Sequence, residues 1–320
     1  MTNPPDITVC VPAWNCADVI DETLASLAAQ THRSFKVRVS VDRSDDDSLD
    51  RCRRWETDPR FEVIAQRKRR GFPGNIDWLL KRVDTPFLCI MPHDDRVEPD
   101  YLERLAAALH ANPGAALSFC DILFDSGYLL HRESLLGDAH SRVCRYLLEW
   151  RDGLAWRGLI RTDLARQAAP HPDANDGYAA DVAWLLQFAA LGDFVHVPGL
   201  RYHKRTGPRC VTAGWATQPV ATIDTWWMEH AAGCLVAALS LDDWTPEQRR
   251  RIAAAGLARA LTVPSGALAP LSAAGLERAA HLLLRLAELL PPGSPIPDAA
   301  TPDPELLAWD LSRIASHLRR

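Results

Sequence analysis

The chain reads as an α/β protein with a mainly parallel sheet flanked by helices, followed by an all-helical C-terminal region. Three observations carry that reading. From residue 7 to about residue 120, short β-branched or apolar runs alternate with amphipathic stretches, the pattern of repeated βαβ units and hence of parallel pairing. Residues 87–91, Phe-Leu-Cys-Ile-Met, are five apolar positions that stop at Pro92-His93-Asp94-Asp95, as in a strand buried on both faces that delivers its polar end to a cleft. Beyond about Gly214 the composition turns to Ala- and Leu-rich segments with helical spacing.

Taken in order, Ile7-Thr8-Val9-Cys10-Val11 is a first strand closed by Pro12, and Ala13-Trp14-Asn15 is the loop it opens into. Asp18 is placed to cap a helix through about Ala29, with Ile20, Leu24 and Leu27 on one face. Residues 35–41 alternate apolar and polar, which predicts a second strand ending at Asp42 and, with its predecessor, a right-handed crossover. Turn chemistry at 43–48 leads to a short helix at about 49–55, then a strand at 61–65 and a helix from about Gly74 to Val83. The apolar run at 87–91 follows. Pro99-Asp100-Tyr101 opens a helix to about His110, and residues 115–120 form a strand expected to end at Asp121. Asp42, Asp94 and Asp121 thus stand at three strand ends, and ligands of open α/β sheets bind outside those ends. Between about 125 and 145 the pattern specifies no element. Order resumes at 156–161, a helix is expected over about 180–191 with Asp181 in its first turn, and a strand over 194–197.

The helical region opens with the capping box Thr245-Pro246-Glu247-Gln248, which predicts a helix to about Leu261. A second helical pattern covers 276–290, a Pro-rich linker 291–304, and a last helix carries Leu307, Leu311, Ile314 and Leu318. The expected division is therefore an α/β domain over 1–213, whose strand ends would hold the ligand, and a helical domain over 214–320.

Composition narrows the function. With 36 basic and 41 acidic residues the net charge is −5, so no basic field recommends nucleic acid as a partner. Eight scattered cysteines without a C-x-x-C pair read as reduced thiols of a cytoplasmic protein. No signal-peptide pattern opens the chain, and no run approaches the roughly 18 apolar residues of a membrane span.

Four motifs in sequence resemble those of an inverting family-two glycosyltransferase of the GT-A fold. Val11-Pro12-Ala13-Trp14-Asn15 is similar to the family's V-P-x-Y-N opening, and Val41-Asp42-Arg43-Ser44-Asp45 to its V-D-D-G-S turn. Arg70-Gly71 with Asn75 resembles the next signature, and His93-Asp94-Asp95 with Pro99 resembles its D-x-D-D segment. The resemblance covers residues 5–210. It implies transfer of a sugar from a nucleoside-diphosphate sugar, a UDP-sugar first among them, to the hydroxyl of a carbohydrate or other acceptor. It implies that Pro12, Trp14, Asn15, Asp42, Arg70, Asn75, His93 and Asp94 contact the donor nucleotide, and that Asp94, Asp95 and His203 hold Mg²⁺ or Mn²⁺ against the diphosphate. Asp181 falls where the family carries its general base. The helical region is a candidate surface for homodimer formation.

Two positions depart from the family pattern. Pro92 stands where the first Asp of D-x-D is expected, and Ala180 where a Glu usually precedes the base. They support a competing reading, a non-catalytic nucleotide- or sugar-binding protein whose helical region is the interaction module. A nucleotidyltransferase is disfavoured, because Pro12-Ala13-Trp14-Asn15 is not the Gly-rich, basic loop such an enzyme needs after strand one.

Overall fold

A computed structural model describes residues 4–172, 175–207 and 217–260. The chain divides into two compact units, residues 1–139 with 153–214, and residues 140–152 with 215–320. The second unit therefore includes a segment from inside the first half of the sequence. The expected helices at 276–290 and 305–320, the linker at 291–304 and Cys210 lie outside the described residues.

In the first unit the elements are β1 (Ile7–Ala13), α1 (Ile20–Ala28), β2 (Phe35–Val41), α2 (Ser48–Arg53), β3 (Phe61–Ala65), α3 (Gly71–Leu80) and β4 (Phe87–Ile90). There follow β5 (Arg96–Val97), α4 (Tyr101–Ala111), β6 (Ala115–Phe124) and β7 (Leu129–Leu130). After α5 (Ala139–Glu149), which belongs to the second unit, come β8 (Leu159–Arg161), α6 (Thr162–Ala165), α7 (Ala180–Leu191) and β9 (Asp193–Lys204). The sheet order is β3-β2-β1-β4-β8-β6-β9-β5, with β7 paired to β6. β3, β2, β1 and β4 are parallel, β8 is antiparallel to both β4 and β6, and β9 runs parallel to β6. Three reversed strands, β8 between β4 and β6, β7 against β6 and β5 against β9, make the sheet mixed rather than wholly parallel.

Every residue of β1 and β4 is buried, which explains why both read as continuous apolar runs. Two buried polar pairs pin neighbouring layers. Thr8 and Thr85 share a hydroxyl hydrogen bond of 2.7 Å. Asn75 accepts the Ser40 hydroxyl at 2.6 Å and donates to the Ser40 carbonyl at 2.9 Å, tying α3 to β2.

Helix starts differ from the sequence expectation where the cap is remote. Asp18 does not cap α1; Val19 is the cap residue, and no side chain bonds there. α3 begins at Gly71 rather than Gly74, because Gly71 adopts a φ of 74° and gives its N–H to Asp42, 29 positions upstream.

In the second unit, helix Pro246–Ala260 has the reciprocal capping box: the Gln248 N–H donates to Thr245 Oγ1 at 3.3 Å and the Thr245 N–H to Gln248 Oε1 at 2.9 Å. It packs closely on helix Val220–Leu239, since a Cβ on Gly256 would stand 2.7 Å from Leu235. Arg259 is wholly buried and donates to the Leu147 and Trp150 carbonyls at 3.2 and 2.8 Å, terminating α5. No described helix is long and apolar enough to cross a membrane.

Asn75→Ala removes the acceptor of the buried Ser40 hydroxyl proton and a donor to the Ser40 carbonyl, so we expect a stability loss of about 1–3 kcal/mol in urea unfolding. An unchanged midpoint would show that this pair does not hold α3 to the sheet.

Candidate active site

Because β1, β2 and β4 are parallel, their C-terminal ends share one edge of the sheet, the edge where α/β sheets take ligands. Asp42 leaves β2 there and is buried. Its carboxylate accepts the Arg43, Arg70 and Gly71 N–H groups at 3.1, 2.8 and 3.0 Å. Negative charge at the start of α3 is favoured by the helix dipole, so Asp42 sets the position of the 66–71 loop against the strand end.

The β1–α1 loop is fastened to the 42–47 turn. Asn15, at a φ of 43°, accepts the Asp45 N–H at 2.9 Å and donates its own N–H to Ser44 Oγ at 3.1 Å. Asp46 accepts the Ala17 and Ser48 N–H groups, each at 3.1 Å. Burial opposes that charge, but the hydrogen bonds from Ser48 and Ala17 outweigh it and hold the Asp46 carboxyl below its ordinary range.

This bracing leaves Trp14 39% exposed at the strand edge. The Arg69 guanidinium lies 3.4 Å from the centre of its ring. Arg70, the cation singled out from the sequence, turns instead to Gln66 Oε1 at 2.8 Å and to the face of Trp78. Arg69 is thus the cation beside the exposed ring. Pro12 lies in β1, and its carbonyl is 3.2 Å from His93 Nδ1. Asn75 is committed to Ser40 beneath this edge.

The two adjacent acids after β4 point to different environments. Asp94 is half-buried, and its carbonyl accepts Arg205 Nε at 3.1 Å. Asp95 is fully buried, 0% exposed. Its carboxylate accepts the Tyr202 hydroxyl at 2.7 Å, the Arg205 N–H at 2.9 Å and Arg157 Nε at 3.4 Å. Burial works against the Arg157 charge, yet the attraction of Asp95 more than offsets it and holds the guanidinium above its ordinary value. His203, on β9, lies with Nε2 3.6 Å from Glu98. Among the described residues, Asp94, Asp95 and His203 do not converge as a three-ligand group.

Asp181 stands in the first turn of α7, after Ala179, whose φ of 51° is unusual for a residue with a Cβ. Its Oδ1 accepts the Val182 N–H at 2.9 Å. Its Oδ2 rests against Gly153: a Cβ added to Gly153 would lie 1.7 Å from it. Only glycine at 153 leaves that space. Asp181 also favours the charged form of Arg157 electrostatically, after Asp95 and Tyr202. Arg157 further donates to the Gly153 carbonyl at 3.3 Å, and its own carbonyl accepts the Tyr101 hydroxyl. One buried cation therefore links the segment after β4 to the residue at the head of α7.

Asp121, expected at a strand end, lies within β6, which continues to Phe124. Its carboxylate faces His131 and His196. Arg157 and Gly153 are absent from the sequence reading, because their partners are 62 and 28 positions away and no spacing announces them.

Residues 8–159 match the family described as glycosyl transferase family 2. An uncharacterised glycosyltransferase of Haemophilus influenzae is 23% identical over 208 residues, 62% of this chain and 64% of that protein, so the chain spans less than two thirds of its relative's length. The structure of Staphylococcus aureus TarS 1-349 in complex with UDP-GlcNAc superposes with a TM-score of 0.67 at 16% identity, over 89% of this chain and 82% of that one. The mannosyltransferase PcManGT of Pyrobaculum calidifontis, in complex with GDP-Man and Mn²⁺, gives a TM-score of 0.54 at 18% identity, over 100% and 82% of the two chains. Their shared architecture is the GT-A fold.

Asp95→Ala would leave the Arg157 charge buried without its counter-ion, and we expect a loss of about 3–5 kcal/mol. Thermal or urea unfolding reads this directly; a variant as stable as the parent would contradict the network.

Proposed function

We propose that the protein is a member of glycosyl transferase family 2, whose description residues 8–159 match, and that it transfers a sugar, with inversion, from a nucleoside-diphosphate sugar to an acceptor hydroxyl. The observation that carries this reading is the Arg157 link: its guanidinium bonds both to Asp95 and to the carbonyl of Gly153, the glycine against which Asp181 rests. A donor site and a base must be neighbours for a single displacement.

The nucleotide would lie along the edge formed by Pro12, Trp14, Asn15, Asp42 and His93. Trp14 with Arg69 offers an aromatic face and a cation to the base or the diphosphate. A UDP-sugar is the first donor to test, given the UDP-GlcNAc complex of TarS.

The side chains fit a divalent cation that arrives with its phosphates. Mg²⁺ and Mn²⁺ are commonly held by one or two carboxylates together with substrate phosphates. Asp95 is spent on Arg157 and Tyr202, and Pro92 offers no ligand atom, so Asp94 would be the holding carboxylate, with His93 beside it. The cation would neutralise the charge that develops on the leaving diphosphate. Asp181 takes the proton from the acceptor hydroxyl as that oxygen attacks the anomeric carbon, and the C–O bond to the diphosphate breaks on the opposite face. Gly153 and the Val182 N–H hold the base in place. The seven described cysteines are buried and in no disulfide, which suits a cytoplasmic protein.

Calorimetry of UDP, GDP and TDP on the native chain should show tight binding of one nucleotide, UDP first, strengthened about tenfold or more by Mn²⁺. Asp94→Ala should abolish that gain; binding indifferent to both metal and substitution would remove Asp94 from the cation. Asp181→Asn should keep UDP affinity but lower transfer or donor hydrolysis by about 10²–10⁴-fold, the span of general-base catalysis. Full activity would exclude Asp181 as base. Gly153→Ala should lower kcat with little change in donor affinity; a normal kcat would show that the contact does not position Asp181.

A further inference from the structure

We propose that Asp121, His131 and His196 form a second cation site, suited to zinc and separate from the diphosphate cation at Asp94. The three residues come from β6, from the segment after β7 and from β9. Their ligand atoms all lie within 4.8 Å of one another. His131 Nδ1 stands 2.7 Å and His196 Nε2 2.8 Å from the same oxygen, Asp121 Oδ1. The imidazole rings meet edge to face at 4.9 Å, so their nitrogens converge rather than stack.

The remaining nitrogen of His131 strengthens the assignment. His131 Nε2 faces Glu133 Oε1 at 3.2 Å. The ring thus has a carboxylate at each nitrogen. With a cation on Nδ1 and a proton on Nε2 donated to Glu133, both positions are satisfied by one neutral imidazole. That is the carboxylate–histidine–metal arrangement that orients ligating histidines.

Ligand chemistry selects the ion. Two imidazoles and one carboxylate favour Zn²⁺ or a similar first-row cation over Mg²⁺, which prefers oxygen donors. Three protein ligands with His131 47% exposed on its side chain leave a fourth position open to water. The site lies beside a break in the β6–β9 register between Phe119 and Asp121. The backbone N–H of His196 also donates to Ser134 Oγ at 3.0 Å. A cation here would join the 131–134 segment to β9 where the ladder is interrupted.

The test is titration of ZnCl₂ into the full-length chain after EDTA treatment and dialysis, followed by calorimetry and by metal analysis of redialysed protein. We expect about one zinc per chain. His131→Ala and Asp121→Asn should weaken binding at least tenfold and Glu133→Gln about tenfold, as loss of an outer carboxylate does. Asp94→Ala should bind zinc as the parent does, and His131→Ala should still bind UDP. His131 is half-exposed, so its replacement tests ligation without disturbing the core. Cobalt substitution should add a visible d–d band that His131→Ala lacks. Absence of zinc binding by both calorimetry and metal analysis would overturn the proposal. So would equal affinity in His131→Ala, or loss of zinc in Asp94→Ala. Failure of UDP binding in the parent chain with zinc binding intact would instead count against the transferase reading alone.

Discussion

The buried carboxylate of Asp95 is the joint on which the site depends. Removing a charged pair from water is costly, and it persists only where each partner is well met. Asp95 meets that condition with the Tyr202 hydroxyl, the Arg205 N–H and Arg157. Those partners come from β9, from the residue after it and from the turn before β8, so one carboxylate fixes three parts of the sheet edge. The same contacts bury Asp95 completely, whereas its neighbour Asp94 is half-buried. Through Arg157 and the Gly153 carbonyl the network reaches the glycine against which Asp181 rests. The spacing between the proposed donor edge and the proposed base is thereby set by packing inside the protein.

Residues of one type take different work from their surroundings. Asp42 and Asp46 meet backbone N–H groups at helix starts, and each brings together two loops. Asp95 is an internal counter-charge. Asp94 and Asp181 are only half-buried, and these are the two to which the proposed chemistry assigns a cation and a proton. The family motif marks the acids as a group; their environments separate them.

Much of the sheet was legible because its strands are buried on both faces or alternate cleanly. β2, β3 and α7 fall at the expected residues, since Phe35, Val37 and Val39 alternate and Trp184, Leu185 and Phe188 form a stripe. The short strands β5, β7 and β8 carry too few residues for any period to show. No element is expected at α5, although Val143, Tyr146 and Leu147 recur at helical spacing, because the charged Arg142 is among its buried positions and blurs the stripe. In the site, the motif acids could be read locally. Arg157, Gly153 and the exchange of Arg69 for Arg70 could not, because each depends on a partner far along the chain. The Asp121, His131 and His196 group has no ligand spacing at all, being assembled by the β6–β9 pairing.

A crystal structure with UDP and Mn²⁺ tests the central claim most directly. The account predicts the diphosphate and its cation beside Asp94, with Asp95 still bonded to Tyr202 and Arg157 and Asp181 still against Gly153. A cation coordinated by Asp95, or a nucleotide seated away from Trp14 and Asp42, would contradict it.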